Sequence, residues 1–366
     1  MKQTAVAPGR VELLGNHTDY NGGVVLSAAL DLVVSVEGQC RTDGRIVLRS
    51  TTSTEAVEAE IGKLSRTDTW ADYPLGVASV LIANGAAISG FEADFSATLP
   101  LGAGLSSSAA IEVATGVLLM KLFGLQFEPI ELARHCRRAE NEFVGVNCGL
   151  LDQASSIFGR KGHAVYLDCR TETVERVPFP DGYGLLVVDS GVKHELVGGE
   201  YNERRAMCFQ AAEILGVPAL RDASMADVER AAMPEVVKRR AAHIVGENDR
   251  VSAALHALRG EDAAAFGRLM NVSHESSIHN FENSTAELDL LAALARGEPG
   301  ICGARLTGGG FGGSIVALGA NDALEPAGAA IAAKYSAATG HTATPIVCHP
   351  GDGAWALVEA ASLFRA

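Results

Sequence analysis

The side chains and backbone best suited to chemistry gather at residues 100–110, Pro-Leu-Gly-Ala-Gly-Leu-Ser-Ser-Ser-Ala-Ala. Gly102 and Gly104 let the backbone take positive φ and bring N–H groups close to an anion. Ser106 or Ser107 can cap the helix expected to follow, which runs to about Phe123 with Ile111, Ala114, Leu118 and Leu122 on one face. Its free N–H groups and dipole point back at the loop, an arrangement that holds an oligophosphate. A glycine turn before an ordinary capped helix accounts for the same residues. The usual phosphate loop closes on Lys-Ser/Thr, whereas Ser107-Ser108 stand here. Charge neutralisation must therefore come from elsewhere, most simply from Mg²⁺.

Two carboxylates follow. A helix expected over 128–143, a breaker at 145–149 and a new helix from about Leu151 put Glu140 and Asp152 on two elements meeting at Gly149. Near a phosphate loop such a pair supplies one metal ligand and one base. A solvated helix carboxylate is the alternative for either, but Leu150, Leu151 and Ala154 around Asp152 argue against an open surface position. Earlier in the chain, Gly-Asn-His-Thr-Asp-Tyr-Asn-Gly-Gly at 15–23 follows Arg10. Its last three residues read equally as a hairpin loop. The mixed donors and acceptors of Asn16 to Asp19 suit a polyhydroxylated ligand, since a carboxylate or carboxamide engages two neighbouring hydroxyls at once. Trp70 reads either as core or as contact for an adenine face.

These groups need elements to carry them. Strands are expected over 4–14, 24–36, 91–99, 164–168 and 184–189, with a hairpin over 41–49 around Asp43-Gly44 and a helix over 70–83. A helix over 200–215 precedes an Ala-rich helical segment over 225–296. His274 and His279, five apart, do not share a helix face and read as structural. A second glycine cluster occupies 303–313, and Gly308, Gly310 and Gly313 formally match Gly-x-Gly-x-x-Gly. The strand pattern at 314–318 is wrong for a dinucleotide site, which needs a helix there, so a flexible loop lying against the first glycine loop is the better account. A helix over 324–338 and closing strands over 344–348 and 354–359 end the chain.

With 366 residues there is room for about two domains, divided near 178–181 where the texture changes. Apolar residues make up 48% and charged residues 20%, which places the chain among soluble globular proteins, and the net charge of −14 argues against a nucleic-acid or anionic-membrane partner. The seven cysteines are scattered, without a Cys-x-x-Cys pair, as expected for reduced thiols in the cytoplasm. Neither a signal peptide nor a run of about eighteen apolar residues is found.

Three of these stretches, 8–23, 100–110 and 303–313, resemble in order the GHMP sugar kinases, and among them the galactokinases most closely. Cys-Gly-Leu-Leu-Asp-Gln at 148–153, Ser-Gly-Val-Lys-His-Glu-Leu at 190–196 and Tyr-Asn-Glu-Arg-Arg at 201–205 extend the resemblance over nearly the whole chain. It implies an α+β fold of two halves, 1–180 like the second domain of ribosomal protein S5 and 181–366 ferredoxin-like. It implies ATP-dependent phosphorylation of the C1 hydroxyl of galactose, with Asp152 as base and Arg10 stabilising the developing oxyanion. Asn16, His17, Asp19, Gly149 and Tyr201 would contact the sugar. Gly102, Ala103, Gly104, Leu105, Ser106, Ser107 and Ser108 would hold the phosphates, Gly309 and Gly310 would complete the nucleotide site beside Trp70, and Ser108 and Glu140 would hold Mg²⁺. Galactokinases usually carry Glu where this chain has Asn16, at a position expected to meet the C6 hydroxyl, so weak discrimination at C6, or a galactose relative altered at C6 or C2, is expected. With nine residues before Arg10, the N-terminal helix common in the family is expected to be absent.

Overall fold

A computed structural model of the chain describes every residue except Leu101, Ala103, 194–196 and 364–366. Ala103 of the phosphate-loop reading, and the His-Glu-Leu of the 190–196 motif, therefore lie outside the described residues. Two long apolar strands, β1 (Gln3–Leu14) and β2 (Val24–Cys40), each run through both of the units into which the chain packs. One unit comprises residues 1–10, 29–161 and 351–366, the other 11–28 and 162–350. Neither is a continuous half, so a division at 180 gives the order of segments along the chain and not the packing units.

In the first unit β3 (Arg45–Ser50), β4 (Val57–Glu60) and β5 (Phe91–Ala97) join residues 34–40 of β2. The hairpin expected over 41–49 does not form: β5 pairs parallel with β3 and antiparallel with β2, and so lies between them. Buried Phe91, Ala93 and Phe95 complete an apolar face with Ile46, Leu48, Val34 and Val36, a gain that direct pairing of β2 with β3 would forgo. Helices α1 (Asp72–Ala83), α2 (Ser107–Phe123), α3 (Pro129–Arg138) and α4 (Leu151–Phe158) follow. From Glu112 to Leu119 every residue of α2 is buried, so this helix is a core element and not a one-faced surface one. Pro129 at its first turn and a Glu128/Glu131 capping box start α3, which passes into a π-helical turn at Ala139–Val144.

In the second unit β6 (His163–Asp168) pairs with residues 24–27 of β2 and with β7 (Thr173–Pro178). Only two valines mark β7, which the sequence reading passed over. A four-stranded antiparallel sheet is formed by β8 (Tyr183–Lys193), β9 (Ile301–Leu306), β10 (Gly312–Ala320) and β11 (Thr344–Cys348), in the order β11-β8-β10-β9. The unit's helices are α5 (Val197–Leu215), α6 (Met225–Arg230), α7 (Glu235–Arg259), α8 (Ala263–Ser276), α9 (Ala286–Arg296) and α10 (Asn321–Thr339), of which α8, α9 and α10 pack on this sheet. Leu186, Leu306, Ile315, Leu291 and Ile331 form one core between sheet and helices, and Ile244, Val237, Cys208 and Phe281 form another among the helices. The second glycine cluster leads into β10, as the rejection of a dinucleotide site requires.

The last segment returns to the first unit as α11 (Ala354–Leu363), where a strand was expected over 354–359. Ala, Leu and Glu dominate the segment and have high helix propensity, and α11 packs on α4 through buried Ala354 and Ala356. Among the described residues no helix is long and apolar enough to cross a membrane.

Candidate active site

In the first unit the N–H of Arg10 donates to the carbonyl of Leu105 at 3.0 Å, and its Nη1 donates to that of Gly104 at 3.1 Å. The glycine loop is thereby tied to β1. Gly102 and Gly104 take φ of 81° and 72°, the left-handed conformations expected of a backbone cradle. Arg10 also grips Asp152 with a bidentate fork, Nε to Oδ1 at 2.7 Å and Nη2 to Oδ2 at 2.8 Å. Ser106 donates from Oγ to Asp152 Oδ2. Its side chain does not cap α2, contrary to expectation, because a bond to a carboxylate outcompetes one to a neutral backbone N–H. The first turn of α2, with Ser107 and Ser108 half-buried, has no side-chain cap from Ser106, which suits an anion. Arg10 is buried while the Asp152 side chain stays 23% exposed, so a substrate hydroxyl can reach the carboxylate.

Behind this pair Glu140 is buried in the π-helical turn and accepts hydrogen bonds from Gln153 Nε2 at 2.8 Å, Cys148 Sγ at 3.0 Å and the Ser108 hydroxyl. Gln153 Nε2 also reaches Glu112 Oε2 at 3.0 Å, so one amide bridges two buried carboxyls. Burial raises the pKa of Glu140, with Asp152 adding to the effect and Cys148, Gln153 and Ser108 opposing it. Glu112 is pushed well up, first by burial and then by Glu140. Among the described residues neither has a cationic side chain within ion-pair distance. A desolvated carboxylate without a cation, with a serine hydroxyl on it, fits a metal-ion ligand pair of Ser108 and Glu140. Trp70 packs edge-on against Phe95 at 5.4 Å, and its buried Nε1 has no partner among the described residues. Gly149 lies in the turn before α4, half-buried beside Cys148.

The other candidate residues belong to the second unit. Asn16 is only 1% exposed, and its side chain is taken up by protein: Nδ2 donates to Glu12 Oε1 at 2.9 Å and to the carbonyl of Gly308 at 2.7 Å, while Oδ1 accepts from Asn283 Nδ2 at 2.8 Å. Both amide donors are spent on protein, which gives this side chain a scaffold role. His17 is likewise occupied. Its Nε2 must carry the proton, because it faces the carbonyl of Gly309 at 2.9 Å, and Nδ1 then accepts from the hydroxyl of Tyr20 at 2.8 Å. Burial pushes the His17 pKa down to about 4. With its ring in a nest of Tyr201, Tyr20 and Phe281, His17 orients the loop and leaves no ring nitrogen for sugar. Asp19 opens the short turn Asp19–Asn21 and is half-buried. Tyr201 projects from α5 over Gly309.

The second glycine loop is not left free, as had been expected. The carbonyl of Gly308 is taken by Asn16, that of Gly309 by His17 and Asn283, and the N–H of Phe311 donates to the carbonyl of Asn283 at 2.7 Å. Gly310 is required here: its φ is +81°, and a Cβ would stand 2.2 Å from the Asn283 carbonyl oxygen. His274 is buried, with Nδ1 accepting the N–H of Leu306 at 3.1 Å, as a structural histidine should be. Sequence reasoning missed Glu12, Glu112, Gln153, Glu247 and Asn283. Signals existed for three of them: Glu12 and Gln153 stand inside the stretches 8–23 and 148–153 that carry the resemblance, and Glu112 is an acidic residue in a mostly apolar helix.

Residues 2–39 match the galactokinase galactose-binding signature, 72–160 the GHMP kinases N terminal domain and 254–337 the GHMP kinases C terminal domain. A galactokinase of Thermotoga neapolitana is 41% identical over 320 residues, covering 87% of this chain and 90% of its own length. One from Glaesserella parasuis is 40% identical, covering 96% and 94%. Among solved structures, that of Lactococcus lactis galactokinase complexed with galactose superposes with a TM-score of 0.91 at 33% identity, covering 96% of this chain and 94% of that one. A mevalonate kinase of Methanococcus jannaschii shares the fold, at a TM-score of 0.69 and 18% identity. The chain has the two-domain α+β fold of the GHMP kinases and belongs, within that family, to the galactokinases.

Proposed function

We propose that the protein transfers the γ-phosphoryl group of ATP to the C1 hydroxyl of D-galactose. The observation that carries this reading is the Arg10–Asp152–Ser106 constellation built on the glycine loop, in a chain whose structural relative from L. lactis is described in complex with galactose. Phosphoryl transfer asks a protein for positioning and for charge neutralisation. Asp152 accepts the proton of the attacking hydroxyl at the acceptor position left on Oδ1, and the Arg10 guanidinium beside it stabilises the charge that develops on the attacking oxygen. N–H groups of Gly102 and of Gly104 to Ser108 hold the phosphates, with the Trp70 ring on the adenine side. Ser108 and Glu140 would hold Mg²⁺, which when bound would neutralise phosphate charge in place of the missing lysine. In the second unit Asp19 and Tyr201 contact the sugar, while Asn16 and His17 hold their loop.

The scaffold role of Asn16 removes the ground for preferring a sugar altered at C6, and the intact Asp152 constellation favours an enzyme over a sugar sensor. The test is ADP release with a panel of free sugars, ATP and Mg²⁺, followed by chelation with EDTA. Release with galactose that EDTA abolishes is expected. Its absence across several divalent metals would sink the reading.

A further inference from the structure

The loop from Gly15 to Val24 enters and leaves through sharp bends. Gly15 sits at φ +94° and His17 at +61°, a left-handed conformation that costs a residue with a Cβ about 1–2 kcal/mol. The successive N–H groups of Gly15 and Asn16 converge on a single atom, Oε2 of Glu247, at 2.8 and 2.9 Å. They form the concave anion-binding backbone that free phosphates and carboxylates occupy elsewhere, filled here by the protein's own side chain. The other oxygen, Oε1, accepts from Arg250 Nε at 2.6 Å and Ser273 Oγ at 2.7 Å, and Arg305 Nη1 stands 3.9 Å from Oε2. Glu247 is fully buried on α7. Desolvation opposes its charge, but Arg250 and Arg305 outweigh it and hold the carboxyl well below the usual range. The adjacent residue serves the other end of the loop: Asn248 Oδ1 accepts the N–H of Val24 at 3.0 Å, and its Nδ2 is tied back to the carbonyl of Ile244.

From this geometry we infer that Glu247 and Asn248 are positioning residues for sugar binding, clamping the entry and exit of the Gly15–Val24 loop through its backbone and so setting where Asp19 stands. The inference rests on the galactose reading above. A carboxylate is needed because both of its oxygens accept: a glutamine offers one acceptor, so its NH₂ must face either the two loop N–H groups or Arg250 and Ser273. Ser273 provides an internal control, since it bonds the same carboxylate and, among the described residues, makes no hydrogen bond to the loop.

Steady-state kinetics of wild type, Glu247→Gln, Asn248→Ala and Ser273→Ala, with amide exchange of the wild type, form the test. Lack of galactose-dependent ADP release by the wild type counts against the proposed reaction and leaves the clamp to be judged by exchange alone. Expected are a tenfold or greater rise in KM for galactose in Glu247→Gln, a smaller rise in Asn248→Ala and KM for ATP within twofold in both. Ser273→Ala should keep its galactose KM within twofold, and the amides of Gly15, Asn16 and Val24 should exchange slowly. The clamp is overturned if KM for both substrates rises equally, if Ser273→Ala matches Glu247→Gln, or if those wild-type amides exchange like an unstructured chain. Should Glu247→Gln fail to fold, Asn248→Ala and the wild-type exchange decide.

Discussion

Asp152 accepts from Arg10 at both oxygens and from Ser106 at Oδ2, which leaves an acceptor position on Oδ1 for a substrate hydroxyl. Asp152→Asn keeps the shape but cannot take the proton; kcat should fall about 10²- to 10⁴-fold with galactose binding within about tenfold. Retention of more than about a tenth of kcat would show that proton acceptance at this atom is dispensable. Asn16 makes a different prediction. A carboxylate there faces Glu12 Oε1 and the carbonyl of Gly308, both acceptors, in a fully buried place. Asn16→Glu should therefore lower stability by about 2–5 kcal/mol, read by urea unfolding, with no gain in preference for galactose over 6-deoxygalactose. A variant as stable as wild type with a sharpened preference would return Asn16 to the sugar.

At the scale of elements, Asn283 is the tie that sequence could not show. Its Nδ2 joins Asn16 to the carbonyl of Gly309, and its own carbonyl receives the N–H of Phe311, so this buried amide adds to the direct bonds that Asn16 and His17 make to the second glycine loop. Gly310→Ala tests this joint, because the added Cβ meets the Asn283 carbonyl and the φ of +81° is strained for alanine. A loss of about 1–3 kcal/mol in stability is expected together with a raised KM for galactose. An alanine variant with unchanged melting temperature and KM would show that the loop can move aside at no cost.

Across the whole molecule the buried titratable groups pull the pH dependence in opposite directions in the two units. His17 is held down to about 4 and His243 to about 3, in both cases by burial first. Arg305 lowers both, Arg204 adds to the effect on His17 and Arg250 to that on His243, while Glu247 opposes it for both. Unfolding frees each to protonate near 6.5, so the unfolded state binds more protons from about pH 6.5 down to about 4. Stability of the second unit should fall by about 1.4 kcal/mol per pH unit for each histidine in that range. Glu112 and Glu140 in the first unit have raised values, so the folded state takes up their protons first, and acidification favours folding there. Amide exchange compared at pH 7 and pH 5 should show faster opening around His17 and His243 without the same change around Glu112 and Glu140. Equal acceleration in both units would contradict these assignments.

Short-range order was legible in the order of residues: the glycine turn before α2, the separate elements carrying Glu140 and Asp152, the strand after the second glycine cluster and the polar loop after Arg10. Each follows from backbone freedom, apolar spacing or a run of polar types that neighbours in sequence express directly. Which partner each polar atom takes depended instead on long-range packing. Ser106 or Ser107 was read as a cap, and Ser106 bonds Asp152; Asn16 was read as a sugar contact and bonds Glu12 and Asn283; and residues 41–49 were read as a hairpin into which β5 inserts. The segment 354–359, ambiguous in its short apolar run, settled as helix by packing Ala354 and Ala356 on α4. These choices turn on competition between acceptors and surfaces up to 267 residues apart. A charged or doubly bonded partner wins over a nearer neutral one, and sequence spacing carries no record of that contest.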